Sequence, residues 1–424
     1  MKRIEKIRNY EVVLEAPPAK AHTLRALVIG SLANGESMIE RPLLAQDQLS
    51  VITCLRALGS EIQVEEGHAV VSGCGGAYSP RAENLDVGES GVGMSFLTAA
   101  ACLSEKPVVI SGAQRITERP VAELVGGLRQ LGCRIVYLGK DGFPPLKVMG
   151  GGIRGGAAEM RGDITSQYFS AVAIAAPFAG DAVTLSCPGR MAEQPYFDIT
   201  IEMMSRFGVR VERIDSQRVR VPATKAYVAS KVEMEGDYSS ASFFFLAAAI
   251  CRSVVTVTGL SPDTVQGDRR FLEFLRNMGC AVSEEGGAVR VEGRPLQGIA
   301  ADMADTPDLL PPVAVAAAFA QGTSIFANVA HLRYKESDRL AVVASELDKM
   351  GGVARCDGDS LLVEGGRKLH GAQINPHNDH RIAMSFAVAG LATGDQAIEN
   401  GQCVQKSFPD FWNKLKVFTT IDGR

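Results

Sequence analysis

Leu275-Arg276-Asn277-Met278-Gly279 reads as the last turn of a helix followed by the glycine that ends it. A helix C-terminus commonly closes on a residue in the left-handed region, and glycine takes it without a Cβ penalty. Downstream, Ala281-Val-Ser and Val289-Arg-Val291 alternate apolar and polar residues around the turn signal Glu285-Gly286-Gly287, which is the pattern of two paired strands. The same arrangement begins at Leu55-Arg-Ala-Leu-Gly59, Leu128-Arg-Gln-Leu-Gly132, Met204-Ser-Arg-Phe-Gly208 and Leu347-Asp-Lys-Met-Gly351, and the five glycines are spaced by 73, 76, 71 and 72 residues. Such spacing is an internal repeat, longer than that of solenoids. Each unit, with two helices and several strands, is a small α/β module. Three modules enclose one core, and a sixth copy, degenerate or split between the termini, makes the count even. The chain, at 424 residues, is too long for a single core, so two domains of three modules are expected.

Composition narrows the function. A hydrophobic fraction of 46% and a net charge of −4 describe a globular protein without a basic surface for nucleic acid. Nine cysteines stand singly, with no CxxC spacing, which supports neither a zinc site nor a dithiol motif and fits a reducing, cytoplasmic setting. Met1-Lys2-Arg3 leads into further charge and not an apolar run, so no signal peptide is expected. The run from Phe243 to Val257 comes closest to a membrane span, but Arg252 interrupts it.

The chemistry gathers at helix starts. Arg333-Tyr334-Lys335-Glu336-Ser337-Asp338-Arg339-Leu340 opens a helix continued by Val343, Leu347 and Met350. Asp338 can cap it. Lys335 and Arg339, cations where the helix dipole favours anions, then call for a bound phosphate or carboxylate. Lys20 and Arg25 lie at the start of another helix after Pro17-Pro18, and Gly88 to Met94 is a glycine-rich turn entering an apolar helix. Arg115 to Pro120, Asp163 to Gln167, Glu235 to Ser242, Asp305 to Asp308, His377 to Arg381 and Lys406 to Asp410 are further polar starts. If these termini face inward, they make an anion-attracting cleft. Lys20, Arg25, Arg119, Lys335, Arg339, Arg381 and Lys406 are then its cations, and Asp308 and Glu336 its acid/base candidates. Each residue taken singly is equally well read as a cap or a surface charge.

Taken in order, Glu118-Arg-Pro120, Ser166-Gln167, Gly236-Asp-Tyr-Ser-Ser-Ala241, Lys335-Glu-Ser-Asp-Arg-Leu340 and Asn378-Asp-His-Arg-Ile-Ala-Met384 resemble the enolpyruvyl transferases, most closely the EPSP synthase family. The similarity runs from about Pro17 to Trp412. It implies a two-lobed inside-out α/β barrel with three repeated α/β units per lobe. One lobe spans residues 19–233, the other 1–18 plus 234–424, with crossings near 17–20 and 233–237. It implies no metal and no cofactor, a monomer, and small-molecule substrates: phosphoenolpyruvate and shikimate 3-phosphate. By the resemblance, Lys20, Arg119, Gln167, Arg339, Arg381 and Lys406 hold phosphoenolpyruvate. Arg25, Thr165, Ser166, Gln167, Tyr196, Asp308 and Lys335 hold the acceptor. Asp308 takes the acceptor's hydroxyl proton, and Lys20 and Glu336 move the proton at the methyl carbon.

The acceptor side departs from the family pattern. Ala21 stands where serine is usual. Gly88-Glu89-Ser90-Gly91-Val92-Gly93-Met94-Ser95 lacks the usual Asn, Thr and Arg. His331 replaces an asparagine, and Glu193 precedes Gln194-Pro195-Tyr196 where a phosphate-binding serine is common. An ionised Glu193 facing the acceptor would repel its phosphate. The sequence therefore predicts poor use of shikimate 3-phosphate and leaves open a sibling transferase with another, unphosphorylated acceptor. The alternative is Glu193 turned away or paired with Arg190. The UDP-N-acetylglucosamine branch fits less well, since Ala21 is not Asn and Ser111 to Arg119 lacks a cysteine. A non-catalytic anion binder has no need of both Asp308 and Glu336.

Overall fold

The computed structural model describes residues 1–7 and 10–420. Its contacts cluster into two compact units, Pro18–Met234 and Met1–Pro17 with Glu235–Arg424. Residues 8–9 and 421–424, which the sequence reading assigns to the second lobe, lie outside the described residues. Each unit has its own apolar core.

Among the described residues, three sheets belong to each unit. Within Pro18–Met234, one sheet runs Asn84–Asp86, Val108–Ser111, Leu146–Val148, Ile135–Tyr137; its first pair is parallel and the rest antiparallel. A parallel pair needs a crossover, and the helix Gly91–Ala101 supplies it. The same plan recurs in the sheet of Gly156–Glu159, Val183–Ser186, Arg218–Val221 and Glu212–Arg213, and in that of Ala300–Asp302, Thr323–Ala327, Ser360–Glu364 and Val353–Asp357. Two sheets borrow their first strand. Lys231–Glu233 lies parallel to Glu36–Glu40, and Glu11–Glu15 parallel to Val254–Thr258. The strand just before each crossing thus completes a sheet whose remaining strands lie far away in sequence. The sixth sheet has three strands and takes Lys2–Ile4 from the N-terminus beside Gln396–Ile398, which makes it the copy split between termini.

The repeat glycines are where the pattern requires them. Gly59 and Gly279 cap their helices at φ +118° and +111°, and Gly132, Gly208 and Gly351 also have positive φ. The crossover helices are apolar on every side and buried. Tyr238–Cys251, Leu310–Ala318 and His380–Thr393 pack on one another in one unit, and Gly91–Ala101 packs on Gln167–Ala175 in the other. Buried helices inside and sheets outside give the inverted barrel. Among the described residues, no helix is long and apolar enough to cross a membrane. The run Arg115 to Pro120 is a departure: it forms a short helix, Gln114–Thr117, and the next begins at Ala122, so Pro120 lies in the link between them.

Candidate active site

In the unit Pro18–Met234 the polar residues collect at the starts of the buried helices. Lys20 is the first residue of Lys20–Leu32, delivered there by the extended Ala19. Its Nζ lies 2.6 Å from Asp47 Oδ2, and Gln48 Nε2 donates to its carbonyl at 3.2 Å. Asp47 stands in the first turn of Gln46–Leu58, where the dipole favours a carboxylate. The sequence reading missed it; an acid in a first turn is too common to stand out. Arg119 lies across the start of Gly91–Ala101. A Cβ on Gly91 would sit 2.3 Å from Arg119 Nη1, so a side chain there would push the guanidinium from this place. Ser90 caps the same helix by accepting from Gly93 N at 3.1 Å.

The residues that the sequence assigns to the acceptor also bond within the protein. Arg25 is 1% exposed. It donates to Thr200 Oγ1 (2.7 Å), Ala21 O (3.0 Å), Tyr196 O (2.7 Å) and Gln167 Oε1 (3.0 Å). Burial pushes its guanidinium down to about 9, which leaves it charged at neutral pH. Thr165 and Ser166 turn their hydroxyl protons to Glu193, at 2.6 Å to its Oε2 and 2.7 Å to its carbonyl. Glu193 itself is 1% exposed, at φ +62°, at the N-cap of Gln194–Arg206. The repulsion argument required an ionised Glu193 facing the acceptor; in the structure this side chain is buried and accepts from the Thr165 hydroxyl. Tyr196 is half-buried one turn further on.

The other unit holds a denser cluster. Asp308 lies in the tight turn Pro307–Leu309 before Leu310–Ala318. Lys335 and Glu336 lie in the bend before Arg339–Lys349, which Asp338 caps by accepting from Ala341 N at 3.2 Å. Asp379 caps His380–Thr393 through Arg381 N at 3.0 Å. Arg339, 1% exposed, ties these together. Its Nε meets Asp379 Oδ2 (2.8 Å), Nη1 meets Asp308 Oδ1 (2.8 Å) and Pro307 O (3.2 Å), and Nη2 meets Glu336 Oε2 (3.0 Å). Arg381 Nη2 lies 2.6 Å from the second oxygen of Asp308, and Lys406 Nζ 3.2 Å from Glu336 Oε1. Burial alone would raise the Asp308 carboxyl. Arg381, Arg339 and Lys335 outweigh it and hold the group far below the ordinary carboxylate range. The guanidinium of Arg339 moves the opposite way: burial lowers it, and Asp379, Asp308 and Glu336 raise it further. Asp379 appears in the quoted Asn378 to Met384 motif, but nothing in that motif marks it as the partner of Arg339.

Asp268 is a second residue the sequence reading missed. It is 3% exposed, accepts from the Ser239 hydroxyl, and is pushed up to about 7 by burial first and then by Asp308, against the pull of Arg381. A carboxyl raised in the folded state contributes stability below its unfolded value near 4, and loses it as pH climbs through the folded value. Asp268→Asn is therefore expected to be more stable than wild type at pH 8, with the difference closing by pH 4. Urea midpoints at the two pH values check this, and a constant difference would refute it.

The profile of the family described as EPSP synthase (3-phosphoshikimate 1-carboxyvinyltransferase) matches residues 4–415. The chain belongs to the EPSP synthase family. A 3-phosphoshikimate 1-carboxyvinyltransferase of Methanoculleus marisnigri is 44% identical over 415 residues, covering 97% of this chain and 98% of that one. One of Syntrophobacter fumaroxidans is 40% identical over 417 residues, covering 98% and 99%. The solved EPSP synthase of Acinetobacter baumannii superposes with a TM-score of 0.82 at 26% identity, covering 98% of this chain and 97% of that one. An EPSP synthase fold thus carries both residue sets, one in each unit.

Proposed function

We propose that the chain transfers the enolpyruvyl group of phosphoenolpyruvate to a hydroxyl of shikimate 3-phosphate and releases phosphate. Family membership along the whole chain supports the reaction. The observation that carries the residue roles is the grip of Arg339 on Asp308 and Glu336, which keeps two carboxylates fixed among cations.

The acceptor hydroxyl oxygen bonds to C2 of phosphoenolpyruvate while C3 takes a proton and becomes methyl. The resulting tetrahedral ketal phosphate then loses phosphate as the C2–O bond breaks, and the methyl carbon returns the proton. Asp308 accepts the hydroxyl proton. It is ionised at neutral pH, and each of its oxygens lies on a guanidinium that fixes its direction. Glu336 and Lys20 serve the proton at C3. Lys20, Arg119, Gln167, Arg339, Arg381 and Lys406 hold phosphoenolpyruvate, whose phosphate and carboxylate suit planar, bidentate donors. Arg25, Thr165, Ser166, Gln167, Tyr196, Asp308 and Lys335 hold the acceptor. The enzyme works as a monomer in the cytoplasm, a setting consistent with its nine free thiols.

Phosphate release with phosphoenolpyruvate and shikimate 3-phosphate is the direct test, and no release above a heat-treated control overturns the reading. Lys20→Ala, Arg119→Ala and Lys406→Ala each remove a charge-assisted contact of about 1.5–3 kcal/mol, which predicts donor affinity roughly 10- to 100-fold weaker. Calorimetric titration with phosphoenolpyruvate measures it; unchanged affinity in all three variants would refute the donor assignment.

A further inference from the structure

Cys102 and Cys133 meet in the core of the unit Pro18–Met234, although the chain has no CxxC motif. Cys102 is the C-cap of the helix Gly91–Ala101, and Cys133 follows Gly132, the repeat glycine after the helix Ala122–Gln130. One residue holds both. Gly152 N donates to Cys102 O at 2.8 Å, and the Cys133 thiol donates to Gly152 O at 4.0 Å. Arg154 N donates to Leu131 O at 2.9 Å, so the stretch from Gly152 to Arg154 ties the two helix ends together. The two cysteines are 1% and 6% exposed, and their sulfurs share a hydrogen bond.

That bond has a direction. Cys102 donates and Cys133 accepts, which favours the thiolate of Cys133 and lowers it against the opposing effect of burial. The same bond raises Cys102, and burial and the charge of Cys133 raise it further. Burial governs other thiols of the core: it pushes Cys54 up to about 12 and Cys280 up to about 11. A thiolate is the nucleophile in sulfur oxidation, and a thiol in contact with it can close the disulfide. Cys133 and Cys102 divide those two tasks between them.

We propose that Cys102 and Cys133 form a peroxide-sensitive dithiol, a modification site in which Cys133 is the attacking sulfur and Cys102 the resolving one. The Cys133 thiolate attacks one oxygen of hydrogen peroxide. The O–O bond breaks, Cys133 becomes a sulfenic acid, and the departing hydroxide takes a proton and leaves as water. Cys102 then attacks Cys133 Sγ. The S–O bond breaks, and a second water leaves with the Cys102 proton. Two thiols and one peroxide thus give one disulfide and two waters, and a thiol reductant reverses the change.

Peptide mapping of the intact, reduced enzyme after a pulse of hydrogen peroxide and denaturing alkylation tests this. The expected product is a linked peptide pair carrying Cys102 and Cys133, lighter than the reduced pair by about 2 Da and separated again by dithiothreitol. Its formation should outpace oxidation of Cys54 or Cys280 by about tenfold or more, because one unit of thiol pKa changes the thiolate fraction about tenfold. In Cys102→Ala the resolving sulfur is gone, and Cys133 should accumulate as a sulfenic acid that dimedone captures. In Cys133→Ala, Cys102 should stay reduced over the same pulse. Should Cys102→Ala fail to fold, dimedone present during the pulse competes with Cys102 in the wild type and should take part of Cys133 as the adduct. Cys133 reaching sulfinic acid in the wild type while Cys102 still alkylates would overturn the proposal. So would Cys133 oxidising no faster than Cys54 and Cys280, or Cys102 oxidising unaided in Cys133→Ala. A disulfide joining Cys133 to the exposed Cys356 in place of Cys102 counts against it as well, since the core pair would then not be the one that closes.

Discussion

Asp308→Asn is expected to lower kcat by roughly 10²- to 10⁴-fold with a small change in the phosphoenolpyruvate KM, the signature of a lost general base. The substitution keeps the side chain's shape and one oxygen, but the amide cannot take the hydroxyl proton. Its nitrogen must also face either Arg339 or Arg381, because each holds one carboxylate oxygen in the wild type at 2.8 and 2.6 Å. The pH profile separates loss of the base from disturbed geometry. Asp308 is held well below the usual carboxylate range, burial being outweighed by Arg381, Arg339 and Lys335. A depressed carboxyl contributes stability above its unfolded value near 4 and loses it as pH falls through the folded one, so that window lies at strongly acid pH. Between pH 5 and 9 the wild type then shows no activity limb from Asp308, and the variant should be slower by a constant factor across that range. Single-turnover phosphate release measures the chemical step directly. An Asp308→Asn enzyme within threefold of wild type would leave the base assignment untenable.

The sequence discloses the fold through local requirements. A helix end that needs left-handed backbone asks for glycine at one position, so Gly59, Gly132, Gly208, Gly279 and Gly351 mark the repeat whatever surrounds them. Apolar runs such as Phe243 to Ala249 announce buried helices for the same reason. Even the split copy is foreseeable from the count, although only the pairing of Lys2–Ile4 with Gln396–Ile398 locates it. Charge at helix starts is equally visible, and the cap at Asp338 can be read from its position alone. What a cation points at is a different kind of fact. Lys20 and Asp47, Arg25 and Gln167, and Arg339 and Asp379 meet across helices, with Arg25 and Gln167 142 positions apart and Arg339 and Asp379 40 positions apart. No local pattern states such meetings. That is why Arg25 reads as an acceptor contact in the sequence, while its bonds to Thr200, Gln167 and Tyr196 appear only in the structure. Glu193 is the converse case: a carboxylate that reads in the sequence as repelling a phosphate accepts from the Thr165 hydroxyl inside the protein.

Arg339→Met should be the most destabilising substitution in the cluster. Methionine fills much of the volume, so a cavity is not the main cost. The cost is electrostatic: Asp379 has no exposed surface, and its Oδ2 keeps only the Ser337 hydroxyl at 3.2 Å once the Arg339 Nε is gone. Asp308 and Glu336 lose a partner at the same time, though Arg381 and Lys406 still face them. Breaking a buried pair from one side typically costs about 3–5 kcal/mol, because the remaining charge is left without compensation. Asp379→Asn in the same background removes that stranded charge, and the double variant should regain about 1–3 kcal/mol relative to Arg339→Met alone. The helix His380–Thr393 keeps its cap in the double variant, since an asparagine oxygen also accepts from Arg381 N. Urea unfolding of the four proteins, with m compared to confirm that the same surface is exposed, supplies the cycle. A loss below about 1 kcal/mol in Arg339→Met would place the pair in the range of surface ion pairs and contradict its burial. Equal stability of the single and double variants would show that Asp379 finds another donor, and the stranded-charge explanation would fall.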